Sequence, residues 1–218
     1  MKKNIHIAID GPAGAGKSTI AKKLSEEINI NYLDTGAMYR AITYQILQLN
    51  IDMDNEEAII NEAEKTMIDF HNNSIFLNGK NVDKEIRTPL VSNHVSLVSK
   101  IPRIREILIN KQREIACGKS VIMDGRDIGT VVLPEADYKF YLDASIEIRA
   151  QRRYDQLEQE VDIKKLQKEI TARDVMDQTR KISPLKKADD AIVIDTSEMT
   201  IEQVLELMIL VIQQGENK

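Results

Sequence analysis

Short apolar runs recur along the chain with helix-patterned stretches between them, and this alternation predicts the architecture. Ile5–Ile9, Tyr32–Leu33, Ser120–Met123, Tyr138–Leu142 and Ala191–Ile194 read as strands buried on both faces, which is the pattern of a parallel sheet. Helices are predicted over Lys17–Asn29, Gly36–Gln48, Pro102–Cys117 and Thr200–Gln213. Pro102 suits a first helical turn, Gly118 a stop, and Thr200 with Gln203 a capping box. The last helix places Ile201, Val204, Leu205, Met208 and Val211 or Ile212 on one face, the spacing of a core-packing helix. Strand and helix in alternation mean an α/β fold.

Two stretches break this rhythm. Thr66–Phe70, Ser74–Leu77 and Lys80–Val82, separated by Asn72-Asn73 and Asn78-Gly79, predict a small antiparallel meander. Residues 151–183 lack glycine and are dense in charge, with Val161 to Arg180 helical by pattern and Pro184 closing the segment. Arg173, Asp177 and Arg180 then share one helix face, as expected of a helical flap that carries arginines toward an anion.

The chemistry is concentrated after the first strand. Gly11-Pro12-Ala13-Gly14-Ala15-Gly16-Lys17-Ser18-Thr19 fits G-x-x-x-x-G-K-[ST], with the strand in front and the helix behind that the motif requires. Such a loop curls its N–H groups inward, the helix behind it adds the positive end of its dipole, and lysine reaches between β- and γ-phosphates. Ser18 is the candidate ligand for Mg²⁺ brought with ATP. Six of the nine glycines (Gly11, Gly14, Gly16, Gly36, Gly125, Gly129) follow strands or open loops near their carboxyl ends, the edge where open α/β sheets bind ligands.

Composition narrows the classes. At 218 residues, 42% hydrophobic and 30% charged, the chain supports one well-buried catalytic unit, and no apolar run approaches the roughly 18 residues that span a bilayer. Met1-Lys-Lys-Asn-Ile enters a strand without an apolar signal segment, so a cytoplasmic location is expected. Cys117 is the single cysteine and is expected to pack ordinarily at a helix end. His6, His71 and His94 lie too far apart in sequence for metal spacing, so a protein-held metal is not expected. A net charge of −5 argues against a nucleic-acid surface, no membrane is implied, and nothing demands more than a monomer. All eleven arginines fall between Arg40 and Arg180, although lysines occur at both ends. Arginine is the better fork for phosphate.

Arg40 after the second strand, Arg126 after the third and Arg180 on the flap form a second candidate anion site. Phosphoryl transfer needs an acceptor held in line and cations around the moving group, which such a set supplies, and a closing flap would exclude water. No N-K-x-D is present to read guanine. A kinase is therefore favoured over an ATP-binding module without transfer, and another small P-loop kinase, acting on UMP or a small metabolite, remains open.

Gly11–Thr19, Asp34-Thr-Gly-Ala-Met-Tyr-Arg40, Glu85-Ile-Arg-Thr88, Pro102-Arg-Ile-Arg105, Asp124-Gly-Arg-Asp-Ile-Gly-Thr130 and Ala172-Arg-Asp174 together resemble the bacterial cytidylate kinases, in order along nearly the whole chain. The resemblance implies transfer of the γ-phosphoryl group of ATP to CMP or dCMP and a five-stranded parallel sheet of order 2-3-1-4-5. It also implies a core (1–34, 99–150, 184–218), a nucleoside-monophosphate-binding lobe (35–98) and a lid (151–183). It places Arg40, Arg126 and Arg180 on the acceptor phosphate, with Thr35 and Tyr39 beside it. Arg173 and Asp177 fall at the sugar, and Ser96, Arg105 and Asp127 at cytosine. Threonine at 35 keeps the hydroxyl of the serine common there. Lys17, Arg126, Arg180 and Asp124 are the catalytic candidates, with Asp124 expected to hold Mg²⁺ water ligands or to cap the following turn. Arg152 and Arg153 join the ATP-binding candidates. Their roles and that of Arg149 are not separated, Arg87 and Arg103 are candidate ion-pair residues, and Met38 and Met123 are assigned to the core.

Overall fold

The computed structural model describes residues 4–71, 74–157 and 162–216. In chain order these form β1 (His6–Asp10), α1 (Lys17–Glu27), β2 (Asn31–Asp34), α2 (Thr35–Gln48), α3 (Glu56–Lys65), β3 (Ile68–His71), β4 (Ser74–Leu77) and β5 (Lys80–Asn81). A 3₁₀ turn (Glu85–Arg87) precedes α4 (Pro89–Ser99), α5 (Pro102–Ala116) and β6 (Val121–Gly125). A single π-helical turn (Ile128–Val132) precedes β7 (Tyr138–Asp143), α6 (Ile146–Gln156), α7 (Ile163–Thr179), β8 (Ile192–Asp195) and α8 (Ile201–Glu216).

The five predicted apolar runs all form strands of one parallel sheet, ordered β2-β6-β1-β7-β8, which is 2-3-1-4-5 in the numbering of those runs. β1 lies at its centre, with His6 opposite Val121 and Ile7 opposite Tyr138 at the start of its ladders. The chain divides into two compact units, residues 1–32 with 118–218 and residues 33–117. Helix α5, expected with the core segments, falls in the second of these.

In the first unit, Ile7 and Ile9 of β1 alternate onto one face. They pack there with Ile122, Phe140, Leu142 and Ile194 from the neighbouring strands, Leu24 of α1, and Val204 and Met208 of α8. α8 opens as predicted. Gln203 Oε1 accepts from Thr200 N (2.9 Å) and Thr200 Oγ1 accepts from Gln203 N (3.3 Å), so two donors of the first turn are satisfied reciprocally. A second cluster of Ala150, Leu166 and Ile170 joins α6 to α7, with Ala13 of the glycine-rich loop packed against it.

The helical reading of Val161 to Arg180 is corrected at its end. α7 stops at Thr179, and Arg180 is extended (φ −62°, ψ 142°); Val161 itself lies outside the described residues. The termination is built by Leu185 N, which donates to Asp177 O (2.7 Å), and by Arg180 Nε, which donates to the carbonyl of Ser183. Ser183 takes a positive φ of 50° to present that carbonyl.

The second unit has its own core, in which Met38, Ile42 and Ile46 of α2, Ile59 of α3, Ile75 of β4, Ile86, and Val98 of α4 are all nearly fully buried. Its antiparallel sheet is ordered β3-β4-β5. The Asn78-Gly79 turn forms as predicted, with both residues at positive φ (49° and 80°). The Asn72-Asn73 turn lies outside the described residues. Cys117 is exposed, not packed, because its helix ends one residue earlier.

Candidate functional site

β1 delivers the chain into Gly11-Pro-Ala-Gly-Ala-Gly-Lys-Ser, and the turn is steric before it is chemical. A Cβ on Gly11, whose φ is +146°, would stand 1.9 Å from Leu142 O, and one on Gly14 (φ +80°) would meet Arg149 Cβ at 3.0 Å. The loop is thus seated against β7 and α6. Lys17, 5% exposed, donates from Nζ to Pro12 O at 2.6 Å. Burial and then the neighbouring Arg126 charge lower its pKa from 10.5 to about 7, so an arriving polyanion would favour its charged form. Ser18 and Thr19 are exposed at the start of α1.

Asp124, near the end of β6, is buried and accepts from Ser18 Oγ (2.8 Å) and from Tyr32 OH (2.7 Å). The carboxylate therefore stands on the loop serine. Tyr32 was not among the sequence candidates, and its position on a short apolar strand offers no chemical signal.

Beyond the end of β6, Arg126 donates from Nε to Asp177 Oδ2 at 2.9 Å, and Arg180 Nη1 lies 3.6 Å from Asp177 Oδ1. Arg180 Nη2 is also 3.5 Å from Asp127 Oδ1. Asp177 thus sits between two arginines. Burial would raise its pKa, but the charges of Arg126, Arg173 and Arg180 outweigh this and hold it below the usual carboxylate value. Arg126 is shifted upward: burial opposes its charge, and Asp177 more than compensates. The structure brings Lys17, Arg126, Arg173, Asp177 and Arg180 into one electrostatic cluster.

The three arginines of α6 separate clearly. Arg149 is buried and internal: Nε donates to Ala144 O (2.9 Å), Nη1 to Ala13 O (3.0 Å), and Nη1 pairs with Asp174. Asp174 also accepts from Ala13 N at 3.2 Å, so α7 is tied to the glycine-rich loop by a carboxylate. Arg152 donates to Thr196 Oγ1 (3.0 Å) and O (2.7 Å), and Thr196 Oγ1 lies 3.3 Å from Ala15 O. Arg153 reaches Gln156 at 3.3 Å on its own helix. Asp174 and Thr196 were missed as site residues. Asp174 lies inside the Ala-Arg-Asp stretch, which was the signal available for it.

In the second unit, Asp34 caps α2 by accepting from Ala37 N (2.8 Å) and pairs with Arg40 (2.7 Å) and Arg87 (3.5 Å). Burial opposes its ionisation, yet the two arginines leave its pKa below the ordinary value. Thr35, 3% exposed, opens the same helix. Arg105, 1% exposed, holds its guanidinium 5.2 Å from the centre of the Tyr39 ring and donates to Ser99 O at 3.3 Å. Ser96 is half-buried on α4. Arg103 pairs with Glu64 (2.7 Å) and Glu106 (2.8 Å), matching its candidacy as an ion-pair residue, and Met38 and Met123 are fully buried.

The family model described as cytidylate kinase matches residues 7–214. The chain belongs to the cytidylate kinase family. The cytidylate kinase of Caldanaerobacter subterraneus subsp. tengcongensis is 54% identical over 205 residues, covering 93% of this chain and 92% of its own. That of Desulforamulus reducens is 50% identical over 222 residues, covering 99% and 100%. Among solved structures, shikimate kinase from Acinetobacter baumannii aligns over 100% of this chain and 97% of its own, with a TM-score of 0.51 and 14% identity, a likeness of fold alone. Cytidylate kinase family membership and the parallel-sheet order agree with what the sequence motifs implied. Among the described residues no helix is long and apolar enough to cross a membrane, and no group of three or more His, Cys, Asp or Glu gathers to hold a metal.

Proposed function

We infer that the chain transfers the γ-phosphoryl group of ATP to CMP or dCMP, giving ADP and CDP or dCDP, as a step of pyrimidine nucleotide metabolism. The observation that carries this reading is the pairing, within one unit, of a phosphate-binding loop with two half-buried arginines held on one carboxylate, Arg126 and Arg180 on Asp177. An ATPase needs only the loop. A second, preorganised pair of forks is what an anionic acceptor requires.

In this reading Gly11 to Thr19 hold the ATP phosphates through backbone N–H groups, and Lys17 neutralises charge that develops between the β- and γ-oxygens. Arg152 secures the segment around Thr196 beneath the loop. Arg126 and Arg180 take the acceptor phosphate, exchanging Asp177 for it, and Asp177 becomes available to the sugar together with Arg173. Asp127 reads the cytosine amino group. In the second unit Arg40, Thr35 and Tyr39 are assigned to the acceptor phosphate, and Ser96 and Arg105 to the base, on the family resemblance. Residues 151–183 act as the lid that excludes water. We place the protein in the cytoplasm and take the monomer as its working form.

The oxygen donors present suit Mg²⁺, a hard cation: the Ser18 hydroxyl and the Asp124 carboxylate lie 2.8 Å apart. Mg²⁺ carried by ATP would be held at Ser18, with Asp124 on its water ligands, and would supply charge neutralisation for the phosphates.

An ADP-release assay with ATP and a panel of CMP, dCMP, UMP, AMP, GMP and sugar acids tests the reading. Acceptor-dependent turnover fastest with CMP or dCMP is expected. Turnover independent of any acceptor, or fastest with a different acceptor, overturns it.

A further inference from the structure

The last residue of β1 spends both carboxylate oxygens outside the phosphate loop it leads into, and reaches that loop only through the attraction between its charge and Lys17. Asp10 is 4% exposed and forked: Oδ1 accepts from Ile128 N at 2.8 Å and Oδ2 from Gly129 N at 2.7 Å, residues more than a hundred positions away. Its backbone is fixed at the centre of the sheet, opposite Gly125 of β6 and Tyr141 of β7. The groups it holds belong to the π-helical turn that follows Asp127. In that turn Val131 N and Val132 N donate to Asp127 O (2.9 and 3.1 Å) and Leu133 N to Ile128 O (2.7 Å). The first N–H groups of any helical turn have no partner within it, and here a side chain from another strand supplies two. A buried carboxylate is costly unless its oxygens are satisfied, and these two bonds are what make the burial of Asp10 tolerable.

We propose that Asp10 is the positioning residue for acceptor recognition, fixing through Ile128 N and Gly129 N the backbone from which Arg126 and Asp127 project. The proposal rests on the cytidylate kinase reading above. Arg126 and Asp127 occupy the two positions before the clamped amides. A displacement there would move Arg126 off Asp177, which it reaches at 2.9 Å, and move Asp127 relative to Arg180, 3.5 Å away. The phosphate loop is braced by other contacts: Gly11 against Leu142 O, Lys17 on Pro12 O, and Ala13 on Arg149 and Asp174. Loosening Asp10 should therefore be felt by the acceptor and spare ATP.

The test is Asp10→Asn, which keeps the volume but gives one acceptor oxygen and one NH₂, so that one of the two amides faces a donor. Steady-state kinetics should show KM for CMP raised about tenfold, a CMP-to-UMP ratio of kcat/KM reduced several-fold, and KM for ATP changed by less than about twofold. Equal changes in both KM values, or an unaltered CMP KM and ratio, overturn the proposal. Should Asp10→Asn fail to fold, Gly129→Ala crowds the clamped turn instead, since its Cβ would stand 3.2 Å from Lys139 Cδ and 3.4 Å from Asp10 Oδ2, and the same pattern is expected. In the unaltered protein, amide exchange at Ile128 and Gly129 should be slowed at least about a hundredfold relative to free peptide; fast exchange at both overturns the clamp. Absence of CMP-dependent turnover in the unaltered protein would reject the kinase reading, whereas an active parent with an indifferent Asp10 variant rejects this proposal alone.

Discussion

Replacing Arg149 by methionine isolates the internal ion pair that joins the phosphate loop to α7. Methionine fills the volume of the arginine stem but removes three donors at once: those to Ala144 O, to Ala13 O and to Asp174. Side-chain exposure of Arg149 and Asp174 is only 10% each, so water does not replace the lost partner. Asp174 is left with the single bond from Ala13 N at 3.2 Å. Removing one member of a buried pair costs about 3–5 kcal/mol, and the apolar contacts of Ala150 with Leu166 and Ile170 survive the change, which limits the loss to that range. For a chain of this length, that is a fall in Tm of roughly 6–20 °C. Thermal and urea denaturation at neutral pH would measure it, with Asp174→Leu and the double variant completing a cycle. The double variant should recover more than half of the loss, because both charges leave together. Since Ala13 belongs to the loop, KM for ATP should rise in the single variant while KM for CMP changes little. A cost below about 1 kcal/mol, or a coupling energy indistinguishable from zero, would refute the reasoning.

Three further outcomes are expected. Lys17→Ala should lower kcat by roughly 10²–10³-fold, equivalent to about 2.7–4 kcal/mol by analogy with other electrostatic contacts to a transition state; near-normal kcat in folded protein would remove the role. Stability should hardly change, because the buried ammonium is already disfavoured. Asp127→Asn should weaken CMP use and relieve the penalty on UMP, reducing the CMP-to-UMP ratio of kcat/KM by about tenfold, whereas a residue that only pairs with Arg180 would lose both substrates equally. Burial raises the pKa of Asp10 from 3.8 to about 6 against the pull of its two amide bonds and Lys17, with Asp127 adding to the rise. Its contribution to stability is therefore full below about pH 4 and is lost as pH rises through about 6, a change of about 3 kcal/mol. Urea midpoints of the parent should fall relative to those of Asp10→Asn over that interval, and parallel profiles would contradict the assignment.

What the sequence determined by itself is whatever local spacing encodes. The five apolar runs mark the strands because paired strands bury such runs in the core, although β8, at the sheet edge, leaves Ile192 and Val193 exposed. The capping box of Thr200 and Gln203 is legible because its two partners are three residues apart. The phosphate loop is legible for the same reason, since its glycines, lysine and serine act within one turn of chain, and the ordered motifs around it suffice to mark the family. The tertiary structure decided the contacts that join distant stretches, where spacing holds no information. Asp10 meets Ile128 across 118 positions, Tyr32 meets Asp124 across 92, and Ala13 meets Asp174 across 161. Each is a carboxylate in an ordinary strand or helix pattern, and its partner is set by sheet order and by which elements pack. The same holds for the α6 arginines, which composition cannot distinguish: burial between loop and helix makes Arg149 internal, while Arg153, one turn further along, reaches Gln156 of its own helix. Local pattern thus specified the elements and the chemistry they carry. Only long-range packing, which chooses a partner for every buried charge, specified how that chemistry is held in place.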